Sequence, residues 1–145
     1  MDEEIPTYTT PESYEQYALN VESKWPARAQ EGRRRAVQLR AEARGAQTEV
    51  ERKCLEAIFA YEWTLFKKHG KRQPASYTWR MVRERGIISA VEHVVSRDKE
   101  TTGYRALVSE GMQEMAFEAV VVRYAEVFSA EAVAKSKKRL AAWQT

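Results

Sequence analysis

Thr48-Glu49-Val50-Glu51-Arg52-Lys53-Cys54-Leu55-Glu56-Ala57-Ile58-Phe59-Ala60-Tyr61-Glu62-Trp63-Thr64-Leu65-Phe66-Lys67-Lys68-His69-Gly70 is the stretch that decides the fold. Thr48 followed three residues later by Glu51 forms a capping box: the threonine hydroxyl takes the amide of residue 51 and the glutamate reaches back to the Thr48 amide. Val50, Cys54, Leu55, Ile58, Phe59, Tyr61, Trp63, Leu65 and Phe66 then make an apolar stripe too wide for one-sided burial. Lys67, Lys68 and His69 suit the negative end of the helix dipole, and Gly70 supplies the left-handed residue that ends the helix. A helix near 48–69 that needs cover on both sides predicts an all-α single-domain bundle, of about six to seven helices by the periodicity of the rest.

Working outward, Thr10-Pro11-Glu12 offers an N-cap, a proline at the first helical position and an acid in the first turn, before Tyr14, Tyr17, Ala18 and Val21 at helical spacing. This predicts a first helix to about Lys24, preceded by a flexible acidic tail over residues 1–10. Pro26 starts a second helix or marks a sharp kink, and Gly45 closes that helix after about Arg44. Beyond Gln73-Pro74, a short helix from Ala75 to Arg85 places Tyr77, Met81 and Val82 inward and stops at Gly86. Another carries Ile87, Ile88, Val91, Val94 and Val95, and ends in the polar cluster Arg97-Asp98-Lys99-Glu100-Thr101-Thr102. Tyr104, Leu107 and Val108 begin the next, Gly111 interrupts it, and Met112 to Phe128 is read as continuous helix. Val120-Val121-Val122 has strand propensity, but no partner strand is evident. Ser129 caps the last helix, with Val133, Leu140 and Trp143 on an apolar stripe and Lys135, Lys137, Lys138 and Arg139 on a basic face.

The 145 residues suffice for one hydrophobic core. Cys54 is the only cysteine, so no intramolecular disulfide can form, and its apolar neighbours make it a small core residue. No apolar run approaches the roughly 18 residues that a membrane helix needs, and Met1-Asp2-Glu3-Glu4 is acidic where a signal peptide would be basic. Both point to a cytoplasmic location. The net charge of +3 conceals a steep asymmetry: −6 over residues 1–23, +9 over 24–85 and zero over 86–145. A basic centre of that density attracts polyanions such as nucleic acid, although it also serves as plain solvated surface.

Within that centre, Lys67 to Arg85 holds eight cationic or titratable side chains around Gly70 and Pro74. Lys67, Lys68 and His69 are explained by the helix end, which leaves Lys71, Arg72, Arg80 and Arg83 as candidate phosphate contacts, with Ser76 adding a hydroxyl. Arg80 and Arg83 lie one turn apart on one face. Arg33, Arg34 and Arg35, extended by Arg28, Arg40 and Arg44, form a second cluster, of which only two of three consecutive residues can share a helix face. Its contribution depends on whether it lies beside Lys71 and Arg72. Trp79 either stacks on a base or packs in the core, and its place in a helix of a small domain favours the core.

The helices around Gly86 invite a helix-turn-helix reading, which fits badly. The position four before the glycine, where a small residue belongs, is Val82, and the apolar position six after it is Glu92. Catalysis has little support. His69 and His93 are the only histidines, no Cys/His/Asp set has metal-ligand spacing, and neither a phosphate-binding glycine loop nor a nucleophile elbow is present. The expectation is a protein that is no enzyme and needs no cofactor, metal or small-molecule substrate. The basic helices also lack the bulky opposite face of a membrane-surface anchor.

Gly103-Tyr104-x-x-Leu107, Glu118-Ala119-Val120-Val121-Val122-Arg123 and Phe128-Ser129-x-Glu131-Ala132-Val133-x-x-Ser136-x-x-Arg139-Leu140, with Trp79 and Gly86-Ile87, resemble a group of uncharacterised helical bacterial proteins. The resemblance implies a bacterial or phage origin and carries over no activity and no site. The reading that emerges is a small helical nucleic-acid-associated protein using the central basic surface, Lys71, Arg72, Arg80 and Arg83 with Arg33 to Arg35. Its alternative is a non-enzymatic adaptor, inhibitor or structural dimer, whose partner would be another protein or a second copy of the chain, motivated by Trp25, Trp63 and Trp143 on amphipathic helices.

Overall fold

Helices begin where a side chain can take an orphan amide and end where a glycine can turn left-handed, and this chain places both signals locally. The computed structural model describes residues 5–97 and 103–144. Among them the chain is all-helical, with no strand. The helices are α1 (Pro11–Val21), α2 (Pro26–Ala43), α3 (Glu49–His69), α4 (Ser76–Arg85), α5 (Ile87–Ser96), α6 (Tyr104–Ser109), α7 (Phe117–Arg123) and α8 (Ala130–Trp143), with 3-10 turns at Gln113–Met115 and Ala125–Val127. Among the described residues there are eight α-helices, several of them short, where about six to seven were expected.

Thr10, Thr48 and Ser129 each accept the amide three residues on, from Ser13, Glu51 and Ala132. The capping box is displaced by one residue: the Glu51 carboxylate accepts the Gln47 amide at 2.9 Å instead of that of Thr48. Gly70, at φ 75°, closes α3 with its amide on Phe66. Residues 1–4 of the expected tail and 98–102 of the expected polar terminator lie outside the described residues. Tyr8 packs edge-on against Tyr14 and donates its amide to the Tyr14 hydroxyl. Gly32 lets α1 and α2 approach closely, because a Cβ there would stand 3.2 Å from the Tyr14 carbonyl oxygen and 3.4 Å from the Tyr17 ring.

The helix expected over Met112 to Phe128 is three pieces. Met115, Ala116, Phe117 and Glu118 are all buried. Four consecutive residues surround a helix axis, so one straight helix could not turn them all to the same interior. An extended Ala116, at φ −61° and ψ 148°, breaks the helix and permits it.

α3 contributes to both apolar clusters. Cys54, Leu55 and Ile58 join Trp79, Val91, Val94, Val95, Phe117 and Val121; Ala60 and Trp63 join Val37, Leu107, Met112 and Met115. Burial pushes the Cys54 thiol up to about 12. Trp143 stacks on Tyr104 with ring centres 5.0 Å apart.

Two charge networks bind the layers. Glu110, after α6, accepts the Trp63 indole N–H at 2.7 Å and pairs with Arg33, whose Nε lies 2.9 Å away but poorly directed for a hydrogen bond. Glu22 draws Lys67 and Arg33 into the same network. The second corrects the α8 reading. Arg139 is 6 % exposed, inside rather than on the basic face. Its guanidinium donates to the carbonyls of Val95 and Arg97 and to Glu118, while Lys135 donates to the Ser96 carbonyl. Cations from α8 thus take the carbonyls that the end of α5 leaves open.

Replacing Arg139 with methionine takes the guanidinium from the buried Glu118 and from the Val95 and Arg97 carbonyls, and is expected to cost about 3–5 kcal/mol, read as a lower urea midpoint at unchanged slope. Adding Glu118→Leu is expected to return much of that loss; a single-variant cost near that of a surface pair, about 1 kcal/mol or less, contradicts the assignment.

The Tyr124 hydroxyl donates to Glu49 across 2.5 Å, and that hydrogen bond holds the Glu49 carboxyl below the usual carboxylate range. A lowered folded-state pKa gives a contribution that is present above the unfolded pKa and lost as pH falls through the folded one. Tyr124→Phe should move the Glu49 titration midpoint upward in a carboxyl-detected NMR titration, and an unchanged midpoint counts against this hydrogen bond.

Candidate nucleic-acid interface

Whether a basic side chain is structural or available turns on its partners. Many cations of the central segment are engaged. Arg33, 7 % exposed, serves Glu110 and Glu22. Arg34 donates to the Gly111 carbonyl and to Glu114, and Arg35 donates to Gln38. Arg40 pairs with Glu15 and Glu12. Arg72 pairs with Glu15 and lies over the Phe66 ring, with about half its side chain still exposed. Arg33 and Arg34 therefore point to the α6 side, and no contact among the described residues joins them to Lys71, Arg80 or Arg83.

Arg44, Lys71, Arg80, Arg83 and Arg97 differ. All five are exposed, and among the described residues none has an acidic partner at ion-pair distance. Four of them gather around α4. On one side an open cleft of about 410 Å³ is lined by Arg44, Phe59, Glu62, Pro74, Ser76, Trp79 and Arg83. Its floor is rigid: Glu62 accepts the Trp79 indole N–H at 2.6 Å and the Ala75 amide at 2.7 Å. Trp79 is 8 % exposed against Phe59, and the Arg44 guanidinium from the end of α2 rests 4.2 Å above its ring centre.

On the neighbouring ridge stands Tyr77, expected inward and found 39 % exposed. The reason is that α4 turns Thr78, Trp79 and Met81 to the interior, and Tyr77 lies on the other side of that arc. Its hydroxyl and His93 Nε2 form a 2.6 Å hydrogen bond, and the Arg80 and Arg97 guanidiniums lie 5.4 and 5.2 Å from its ring centre. The first turn of α4 thus meets the end of α5, and the two close as a hairpin over Gly86, which sits at φ 91°. Arg83 on the cleft and Arg80 on the ridge stand one turn apart on α4. Glu84 is the one acid on the helix.

α5 is the element that a helix-turn-helix would place in a groove. Its Ala90, Val91, Val94 and Val95 are buried, and it packs against α3, α7 and α8. Among the described residues no group of His, Cys, Asp or Glu could hold a metal ion, and no helix is long and apolar enough to cross a membrane. The sequence did not single out Arg97, His93 or the exposure of Tyr77, and it counted Arg44 only as an extension of the Arg33 cluster. A helical hairpin about Gly86 would have been the signal for the first three, since it pairs position 77 with positions 93 and 97. Comparison of the chain with family models, with curated proteins and with solved structures gives no match.

Glu62→Ala removes the acceptor shared by the Ala75 amide and the Trp79 indole. It is expected to destabilise the fold by about 1–3 kcal/mol and to speed hydrogen exchange at both N–H groups; unchanged exchange at Trp79 would show that α4 is positioned by packing alone.

Proposed function

We propose that this protein binds nucleic acid through the exposed side of α4, with Arg44, Lys71, Arg80, Arg83 and Arg97 contacting phosphates. The observation that carries this reading is the convergence of four guanidiniums from the end of α2, from α4 and from the end of α5 on one small surface, none of them with an acidic partner at ion-pair distance among the described residues. Like charges held together cost stability unless a counter-charge arrives, and a phosphate chain supplies several at once. Guanidiniums suit phosphate because their planar fork offers paired donors. Arg33 to Arg35 add to the long-range positive field, while their direct contacts are internal.

Binding carried by phosphate contacts weakens as salt rises, because each neutralised phosphate releases condensed counterion. In fluorescence anisotropy titrations, Arg80→Ala and Arg83→Ala should each weaken binding across sequences and lower the slope of log K against log salt by about one. Arg34→Ala, which loses a contact to Glu114, should leave that slope unchanged. Absence of binding to DNA and RNA, single- and double-stranded, at low salt would overturn the reading.

A further inference from the structure

Tyr77 is an apolar ring held in water by polar neighbours. Among the described residues the large apolar side chains that stand exposed are Trp25, Tyr77, Val108 and Val127, and Tyr77 alone of these lies on the basic side of α4. Three interactions fix it. His93 holds the hydroxyl, Arg80 from the next turn lies against the ring, and Arg97 approaches from the end of α5. Arg97 is itself anchored, since its carbonyl accepts the buried Arg139. An aromatic side chain held this way forfeits little rotamer freedom when a ligand arrives, which is the condition for efficient stacking.

We infer that Tyr77 is a base-stacking platform and that the partner of this interface is single-stranded nucleic acid. The inference rests on the phosphate-binding reading of the α4 face and deepens it. A duplex keeps its base faces inside the stack and offers a flat α4 surface only its phosphates. An unpaired strand offers a π-face as well, and the pattern of a cationic track with an interleaved aromatic is the one that single strands fit. The two guanidiniums beside the ring perform two tasks. In the free protein they cover it by cation–π contact; in the complex a base takes the place of one of them, and the displaced arginine meets the phosphate of the same or the adjoining nucleotide. Trp79, the other aromatic of α4, cannot serve, because its ring is buried against Phe59 with its indole N–H committed to Glu62.

The test compares wild type, Tyr77→Ala, Tyr77→Phe and Arg83→Ala by fluorescence anisotropy at one low salt concentration. The probes are an oligothymidylate, an oligouridylate, a duplex of equal length and an abasic deoxyribose-phosphate strand. Because Tyr77 is exposed, its variants are expected to keep the wild-type circular dichroism spectrum and melting temperature. Tyr77→Ala should raise Kd for the oligothymidylate and oligouridylate roughly 5- to 150-fold, the range for loss of one stacked base, while leaving the duplex and abasic strand unchanged. Tyr77→Phe keeps the ring and should bind within about twofold of wild type, which separates stacking from the His93 hydrogen bond. If Tyr77→Ala binds the single strands like wild type, or weakens the abasic strand equally, the stacking role is overturned while a loss in Arg83→Ala leaves the phosphate reading standing. Wild-type binding to the duplex as tight as to single strands overturns the partner assignment, and no binding to any probe overturns both readings.

Discussion

A cation that leaves water must bring its acceptors with it, and both the packing of this protein and the sorting of its surface follow from that constraint. Arg139 enters the interior between α5, α7 and α8 because Glu118 and the open carbonyls of α5 are there to receive it. Arg33 enters on the opposite side of α3 because Glu110 and Glu22 do the same. With the acids of the N-terminal segment and of the α6–α7 region committed in this way, the arginines around α4 have no acidic partner at ion-pair distance among the described residues. The charge asymmetry along the sequence thereby becomes an asymmetry of contact, one group of cations serving as internal fasteners and another facing solvent.

The two groups are mechanically connected. Arg139 holds the backbone of Arg97, and Arg97 flanks Tyr77. Glu62 on α3 fixes Ala75 and Trp79, and Trp79 supports Arg44. Each exposed guanidinium in these chains therefore stands on a residue positioned by the core, which gives the surface a defined shape. Long basic side chains on an unsupported helix would hold no such arrangement.

What was legible in the sequence was what is decided within about one helical turn. Thr10, Thr48 and Ser129 as caps, Pro11 and Pro26 as first residues, and Gly70 and Gly86 as terminators need only their neighbours. Positions decided by distant partners were not legible. Arg139 read as a basic-face residue because Glu118 and Val95 are 21 and 44 residues away. Tyr77, expected inward with Met81 and Val82, stands exposed, while Trp79 packs in the core as expected; both are apolar, and only the position of α3 chooses which faces inward. The Met112 to Phe128 helix failed for a related reason: its apolar residues fit a helical period, but the demand to bury four in succession is set by the surrounding layers. In the site itself, Arg80 and Arg83 were local inferences from one helix, whereas Arg44 and Arg97 reach it only through tertiary structure.

Cys54 lies at the buried heart of α3 with its thiol held in the protonated form well above neutral pH, and it is the single cysteine of the chain. The wild-type protein is accordingly a silent background for thiol chemistry. A cysteine introduced on the surface would be the one nucleophile that a maleimide dye or spin label finds, so the separations between the ends of α2, α4 and α5 are open to spectroscopic rulers without removal of any native residue.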